Sequence, residues 1–126
     1  MDQPVPVIKH TGVKRIIKAT GYSLKGLSYA FRNEAAFREE AIASFVLVPL
    51  ALWLDVTPLE RIMLIMAVVL LLVVELLNTG IEAVVDRVGV EYHLLAGVAK
   101  DVGSAAVFLS LLFCIYVWVT ILLTLL

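Results

Sequence analysis

Leu70 to Arg87 (LLLVVELLNTGIEAVVDR) sets two glutamates, an asparagine and an aspartate into an otherwise apolar helical pattern. At about 100° per residue, Glu75, Glu82 and Asp86 fall within roughly 20° of one line along a helix, and Asn78 stands about 60° away. An ionisable group held that deep in hydrocarbon costs at least ~2.5 kcal/mol on insertion scales, so it has a partner or a task. Seven residues at 1.5 Å each put Glu75 about 10 Å further into the bilayer than Glu82. That depth suits a base meeting a hydroxyl carried by a lipid, and it suits equally a proton-coupled transport site.

Around this stripe, Arg15, Glu34, Arg38, Glu39, Glu40, Glu82, Asp86, Glu91, Lys100 and Asp101 are expected at one membrane level, the cytoplasmic interface. Carboxylates from different helices can hold Mg²⁺, which takes one or two of them together with waters and phosphate oxygens. Lysine and arginine beside them would neutralise a polyphosphate. Plainer readings stand next to these. Glu34, Arg38, Glu39 and Glu40 also read as a solvated ion-pair collar, worth little individually, and for Glu39 and Glu40 that reading is preferred. His93 reads as an interfacial histidine, and Lys100–Asp101 equally as a helix start with a snorkelling lysine. No phosphate-binding glycine motif of the P-loop or protein-kinase type occurs.

The elements that must position these groups are those of a membrane protein. Of 126 residues, 62% are hydrophobic, where about half is usual, and the mean hydropathy is +1.01. The net charge of −1 hides an asymmetry: the first 38 residues hold seven Lys/Arg against Asp2 and Glu34, and no charged side chain follows Asp101. The basic residues flank apolar segments and form no patch with aromatic platforms, which argues against nucleic-acid binding. The single Cys114 has no intrachain partner and reads as an inert thiol. The first residues lack the apolar core of a secretory signal, so the N-terminus is expected to stay in the cytoplasm.

In chain order, 1–8 with Pro4 and Pro6 reads as a disordered lead, followed by a single domain over 9–126. The spacing of Val13, Ile16, Ile17, Leu24, Leu27 and Phe31 predicts an amphipathic surface helix over 9–31, weakened or bent at Gly21 and Gly26. A span over about 34–54 follows, kinked or shifted in its backbone bonds at Pro49 and ending at an interfacial Trp53. Its uninterrupted apolar part, Ala41 to Leu54, covers only ~21 Å of the ~30 Å hydrocarbon, so the turns carrying Glu34 and Arg38 must approach the bilayer. Thr57, Pro58 and Glu60 look like an N-cap, a first-turn proline and a matching acid. The second span is placed at about 62–85, a loop at 86–101, and the third span at about 102–126. That last span opens on Gly103, Ser104, Ala105 and Ala106, small residues that permit close packing, and holds Trp118 deep for a belt residue. Positive charge puts the N-terminus and the 86–101 loop inside.

The stretches RIIKATGYSLKGLSYAFRNEAAFREE, VELLNTGIEAVVDRVGVEYH and AKDVGSAAV closely resemble the bacterial membrane-integral diacylglycerol kinases, over nearly everything from Arg15 to Val107. The resemblance implies a homotrimer of three-span subunits in the bacterial inner membrane. Its active sites would lie between subunits at the cytoplasmic face, moving the γ-phosphate of Mg-ATP to diacylglycerol to give phosphatidic acid. It implies Glu75 as general base with Asn78 in support, and Glu34 and Glu82 as Mg²⁺ ligands that also approach ATP. Arg15, Tyr22, Glu91, Tyr92, His93, Lys100 and Asp101 match ATP-contacting positions. Ala19, Leu24, Phe31, Arg38, Trp53 and Ser104, with Glu75, match the lipid side. The family's usual Trp is Leu24 here, and the Ser and Arg expected before AKD are Ala96 and Val98. The alternatives are an undecaprenol kinase with the same motifs and, in another class, a small proton-coupled transporter using Glu75.

Overall fold

The structure, a computed structural model, describes residues 3–7, 9–88 and 93–126, and every regular element among them is an α-helix. Helix α1 covers Gly12–Asn33. Its first residue has φ +66°, a left-handed conformation that glycine adopts without steric cost. The helix passes Gly21 and Gly26 unbroken. Only Ala30 is buried, and the apolar stripe through Val13, Ile17 and Leu24 stays exposed.

One residue, Glu34, separates α1 from α2 (Ala35–Trp53). Its φ of −113° and ψ of 107° turn the chain, its N–H donates to the Ala30 carbonyl at 2.9 Å, and its carbonyl accepts from Arg38 N–H at 3.0 Å. Helix α2 runs through Pro49 without interruption. Its last carbonyls are taken up by Arg61, whose Nε donates to Ala51 at 3.1 Å and whose Nη2 donates to Leu54 at 2.9 Å. Trp53, 80% exposed, ends the helix as an interfacial aromatic would.

The turn after α2 closes with the reciprocal cap that Thr57 and Glu60 suggest. Thr57 N–H donates to Glu60 Oε1 at 3.0 Å and Glu60 N–H donates to Thr57 Oγ1 at 3.2 Å, an arrangement in which each side chain satisfies an orphan donor of the other residue. Helix α3 then runs from Pro58 to Val88 and α4 from Leu94 to Leu123. Both are long and apolar enough to cross a membrane; at 1.5 Å per residue each extends about 45 Å. They pack antiparallel: Leu64 meets Trp118 near one end, Asn78 meets Gly103 further along, and Asp86 meets Lys100 near the other. Ala51, Leu64, Ala67 and Val68 form one core with Cys114, Val117, Trp118 and Ile121. Trp118 is 7% exposed, and its Nε1 donates to the Leu64 carbonyl at 3.1 Å, the partner a buried indole requires.

Boundaries differ from the sequence expectation at α1, which covers Gly12–Asn33 in place of 9–31, and on both sides of the expected third loop. Within the expected 86–101 loop, α3 continues to Val88 and α4 begins at Leu94, so Asp86, Lys100 and Asp101 are helical. Charges there suggest a helix boundary only if helix and hydrocarbon end together. A helix about 15 Å longer than the hydrocarbon carries charged turns beyond it at no desolvation cost. Gly97 lies inside α4, where glycine carries a propensity penalty of about 1 kcal/mol relative to alanine. Of the small residues opening the final span, only Gly103 is buried; Ser104, Ala105 and Ala106 are exposed.

Candidate active site

Glu75 lies in the middle of α3 and is 5% exposed. Its carboxyl lies beside that of Glu40 on α2, and Glu34 and Glu82 stand near enough for their charges to act on it. Glu40 of α2 thus stands next to the buried Glu75, with the charges of Glu34 and Glu82 within range. Glu40 reaches it because Phe37, Glu40, Ser44, Leu47 and Ala51 follow the three- and four-residue spacing of a packed face, and all five are buried or half-buried. Glu40 Oε2 has no hydrogen-bond partner. Two carboxyls in contact either share a proton or repel.

One turn beyond Glu75, Asn78 Nδ2 donates to Glu82 Oε1 at 3.2 Å. Asn78 Oδ1 is buried without a partner and lies against Gly103 of α4, so close that a Cβ there would overlap it. Only a glycine lets Asn78 occupy this place. Glu34 spends its backbone on joining two helices and its side chain on no cap, and Glu82 has one oxygen outside the Asn78 bond. Both carboxylates therefore keep free oxygens, the donor type that Mg²⁺ accepts. Among the described residues no three His, Cys, Asp or Glu side chains are grouped closely enough to hold a metal alone. Two carboxylates completed by phosphate oxygens and water match the habit of Mg²⁺ and fall below that count.

Two apolar cavities lie between the helices. A groove of about 490 Å³ between α1 and α3 is lined by Ser23, Gly26, Leu27, Ala30, Leu76 and Thr79 among others. A second, of about 360 Å³, runs between α2, α3 and α4 past Leu47, Val68, Cys114 and Trp118, and Glu40 is the one carboxyl on its wall.

Comparison with known proteins follows the same residues. The sequence pattern of the family described as prokaryotic diacylglycerol kinase matches residues 21–122. The chain belongs to that family. It is 55% identical over 108 residues to the diacylglycerol kinase of Escherichia coli K12, covering 86% of this chain and 88% of that one. The diacylglycerol kinase of Pseudomonas aeruginosa PAO1 is 52% identical over 120 residues, 95% of this chain and 98% of the relative. That of Haemophilus influenzae Rd is 48% identical over 110 residues.

Within this member of the prokaryotic diacylglycerol kinase family, the residues expected to act fall into three groups. Glu34, Glu75, Asn78 and Glu82 come together as described. Arg15, Ala19 and Tyr22 line one cleft on α1 with Lys9, His10 and Lys18. Lys100 pairs with Asp86, Nζ to Oδ1 at 2.6 Å, both side chains about half exposed, and the Glu82 charge stands near enough to act on it; such an exposed ion pair contributes little to stability. Asp101 is exposed beside it, as are Leu24, Phe31 and Ser104. Arg38 is half-buried on the first turn of α2. His93 caps α4, its Nδ1 accepting from Leu95 N–H at 3.3 Å. Glu91 and Tyr92 lie outside the described residues.

Glu40 corrects the collar reading. Glu39 is exposed, as a collar residue would be, whereas Glu40 turns inward to Glu75. The signal was present in the spacing from Phe37 to Ala51, but the adjacent charges of Arg38 and Glu39 masked it.

Proposed function

We propose that the chain transfers the γ-phosphate of ATP to the hydroxyl of diacylglycerol, giving phosphatidic acid, at the cytoplasmic face of the bacterial inner membrane. The observation that carries this reading is the buried Glu75 beside Glu40, within range of the Glu34 and Glu82 charges, in a chain of the diacylglycerol kinase family. A Glu75 carboxylate oxygen accepts the hydroxyl proton as the lipid oxygen bonds to the γ-phosphorus and ADP departs. Asn78 holds Glu82 in place. Glu34 and Glu82 are the residues that would hold Mg²⁺, which when bound neutralises phosphate charge. Arg15, Tyr22, Glu91, Tyr92, His93, Lys100 and Asp101 contact the nucleotide, and catalysis is chiefly positioning and charge neutralisation. The apolar α1–α3 groove supports lateral entry of the lipid past Ala19, Leu24 and Phe31, with Arg38, Trp53 and Ser104 along the lipid side.

In this reading α2 is a third span beside α3 and α4, within one integral-membrane domain over 9–126. At 19 residues it is short and carries Arg38, Glu39 and Glu40 in its first turns, which snorkelling and contact with Glu75 accommodate. Three chains form a homotrimer whose sites lie between subunits. The exposed apolar faces of α3 and α4, including Val69, Leu70, Phe108, Leu109 and Ile115, are the kind of surface that meets lipid or protein.

Radiolabelled phosphate transfer by the purified protein tests the substrate, with diacylglycerol and undecaprenol offered separately under saturating Mg-ATP. Diacylglycerol is expected to turn over faster; faster undecaprenol would make the chain an undecaprenol kinase. Substrate uptake into sealed vesicles without a phosphorylated lipid would make it a transporter. The metal assignment has its own measurement: Glu82→Gln is expected to raise the Mg²⁺ concentration for half-maximal activity at least about tenfold, since losing a metal-site partner typically costs 10–100-fold. An unchanged Mg²⁺ titration removes Glu82 from that role.

A further inference from the structure

The contact between Asn78 and Gly103 fixes the register of α3 against α4, and that register places Lys100 between two carboxylates. Three residues back along α4 and three residues on along α3 cover the same distance in an antiparallel pair, about 4.5 Å. The Lys100 backbone therefore stands about level with Ile81 and Glu82, and the Glu82 charge is near enough to act on it. Its ammonium nonetheless lies on Asp86, Nζ to Oδ1 at 2.6 Å, four residues or about 6 Å further out along α3. Two carboxylates compete for one cation, and the one nearer in level does not hold it.

Side-chain direction explains the outcome. Helical side chains lean toward the N-terminus of their own helix. In α4 that lean carries Lys100 outward to Asp86. In α3 it carries Glu82 inward to Asn78, whose Nδ2 donates to Glu82 Oε1 at 3.2 Å. The two side chains thus part in opposite directions from one level. The Lys100–Asp86 pair is exposed, 46% and 64%, and adds little to the stability of the fold. Its consequence is where it leaves the positive charge. Lys100 on Glu82 would take up the oxygen that the Asn78 bond leaves open, and would repel a divalent cation there. We propose that Asp86 is a positioning residue, which draws the Lys100 ammonium away from Glu82 and keeps that carboxylate open to Mg²⁺. The inference rests on the metal reading of Glu82, and it adds to that reading a residue that touches neither metal nor substrate.

Mn²⁺ is the probe, its bound fraction read by electron paramagnetic resonance on the full chain in phosphatidylcholine nanodiscs without nucleotide. Asp86→Asn is expected to raise the Mn²⁺ dissociation constant at least about threefold, the scale of an exposed ion pair. The Mg²⁺ concentration for half-maximal phosphate transfer is expected to rise with it. Asp86→Glu keeps an acceptor for Lys100 and is expected to hold both quantities within about twofold of the unmodified chain. In a Lys100→Met background the cation that Asp86 restrains is gone, so Asp86→Asn is expected to move the Mn²⁺ constant less than about twofold. An equal shift in both backgrounds would show that Asp86 acts on the metal through its own charge and would overturn the proposal. An unchanged Mn²⁺ constant in Asp86→Asn alone would overturn it too. Mn²⁺ binding that survives Glu82→Gln undiminished would strike the underlying metal reading, separately from the Asp86 result.

Discussion

Glu75→Gln is expected to lower turnover by at least about 10², the lower end of a general-base contribution, while nucleotide binding stays close to that of the unmodified chain. Glutamine has nearly the same volume, so packing around the 5% exposed side chain is kept. The Asn78–Glu82 bond one turn away does not involve residue 75. What disappears is the oxygen able to accept a proton from the lipid hydroxyl. Single-turnover transfer of labelled phosphate measures the chemical step, and binding of a non-hydrolysable nucleotide measures the rest. A variant that retains near-normal turnover would show that the proton leaves by another route.

The second large effect comes from a residue that touches no substrate. In Gly103→Ala the new methyl would occupy the position of Asn78 Oδ1. Asn78 must then rotate and release Glu82 Oε1, so turnover is expected to fall at least about tenfold, as second-shell losses do at metal sites. Overpacking also costs about 1–3 kcal/mol of stability. Neighbouring residues that act through one clash are non-additive, which gives the argument a direct check. In an Asn78→Ser background the same Gly103→Ala change should cost much less stability. Equal costs in both backgrounds would show that the glycine is required for helix contact alone and that Asn78 is not what it accommodates.

These two residues mark how far one-dimensional reasoning reached. Glu75 was legible because helical periodicity and depth in an apolar stretch are properties of a single element. The all-helical architecture, the Thr57–Glu60 cap and the buried Trp118 follow from equally local patterns. Gly103 was legible as a small residue allowing close approach, but not what approaches it; that depends on the register between α3 and α4. Glu40 was read as solvated because the sequence shows its charged neighbours and not the helix across from it. The beginning of α4 was misplaced by eight residues for a related reason: Lys100 and Asp101 resemble a boundary unless one knows that the helix outruns the hydrocarbon. The pairing of Lys100 with Asp86 then follows from bringing two extended helix ends side by side.

The single residue between α1 and α2 has a mechanical consequence. Glu34 has no slack on either side, since backbone hydrogen bonds tie it to Ala30 and Arg38, so any change of angle between α1 and α2 must be absorbed at this one residue. From Arg15 to Glu34 the helix is about 28 Å long at 1.5 Å per residue. Tilting α1 by 10° about that residue carries Arg15 about 5 Å while Glu34 barely moves. The carboxylate proposed to hold the metal therefore sits at the fulcrum. Arg15 rides at the tip, where small changes in the tilt of α1 become large excursions.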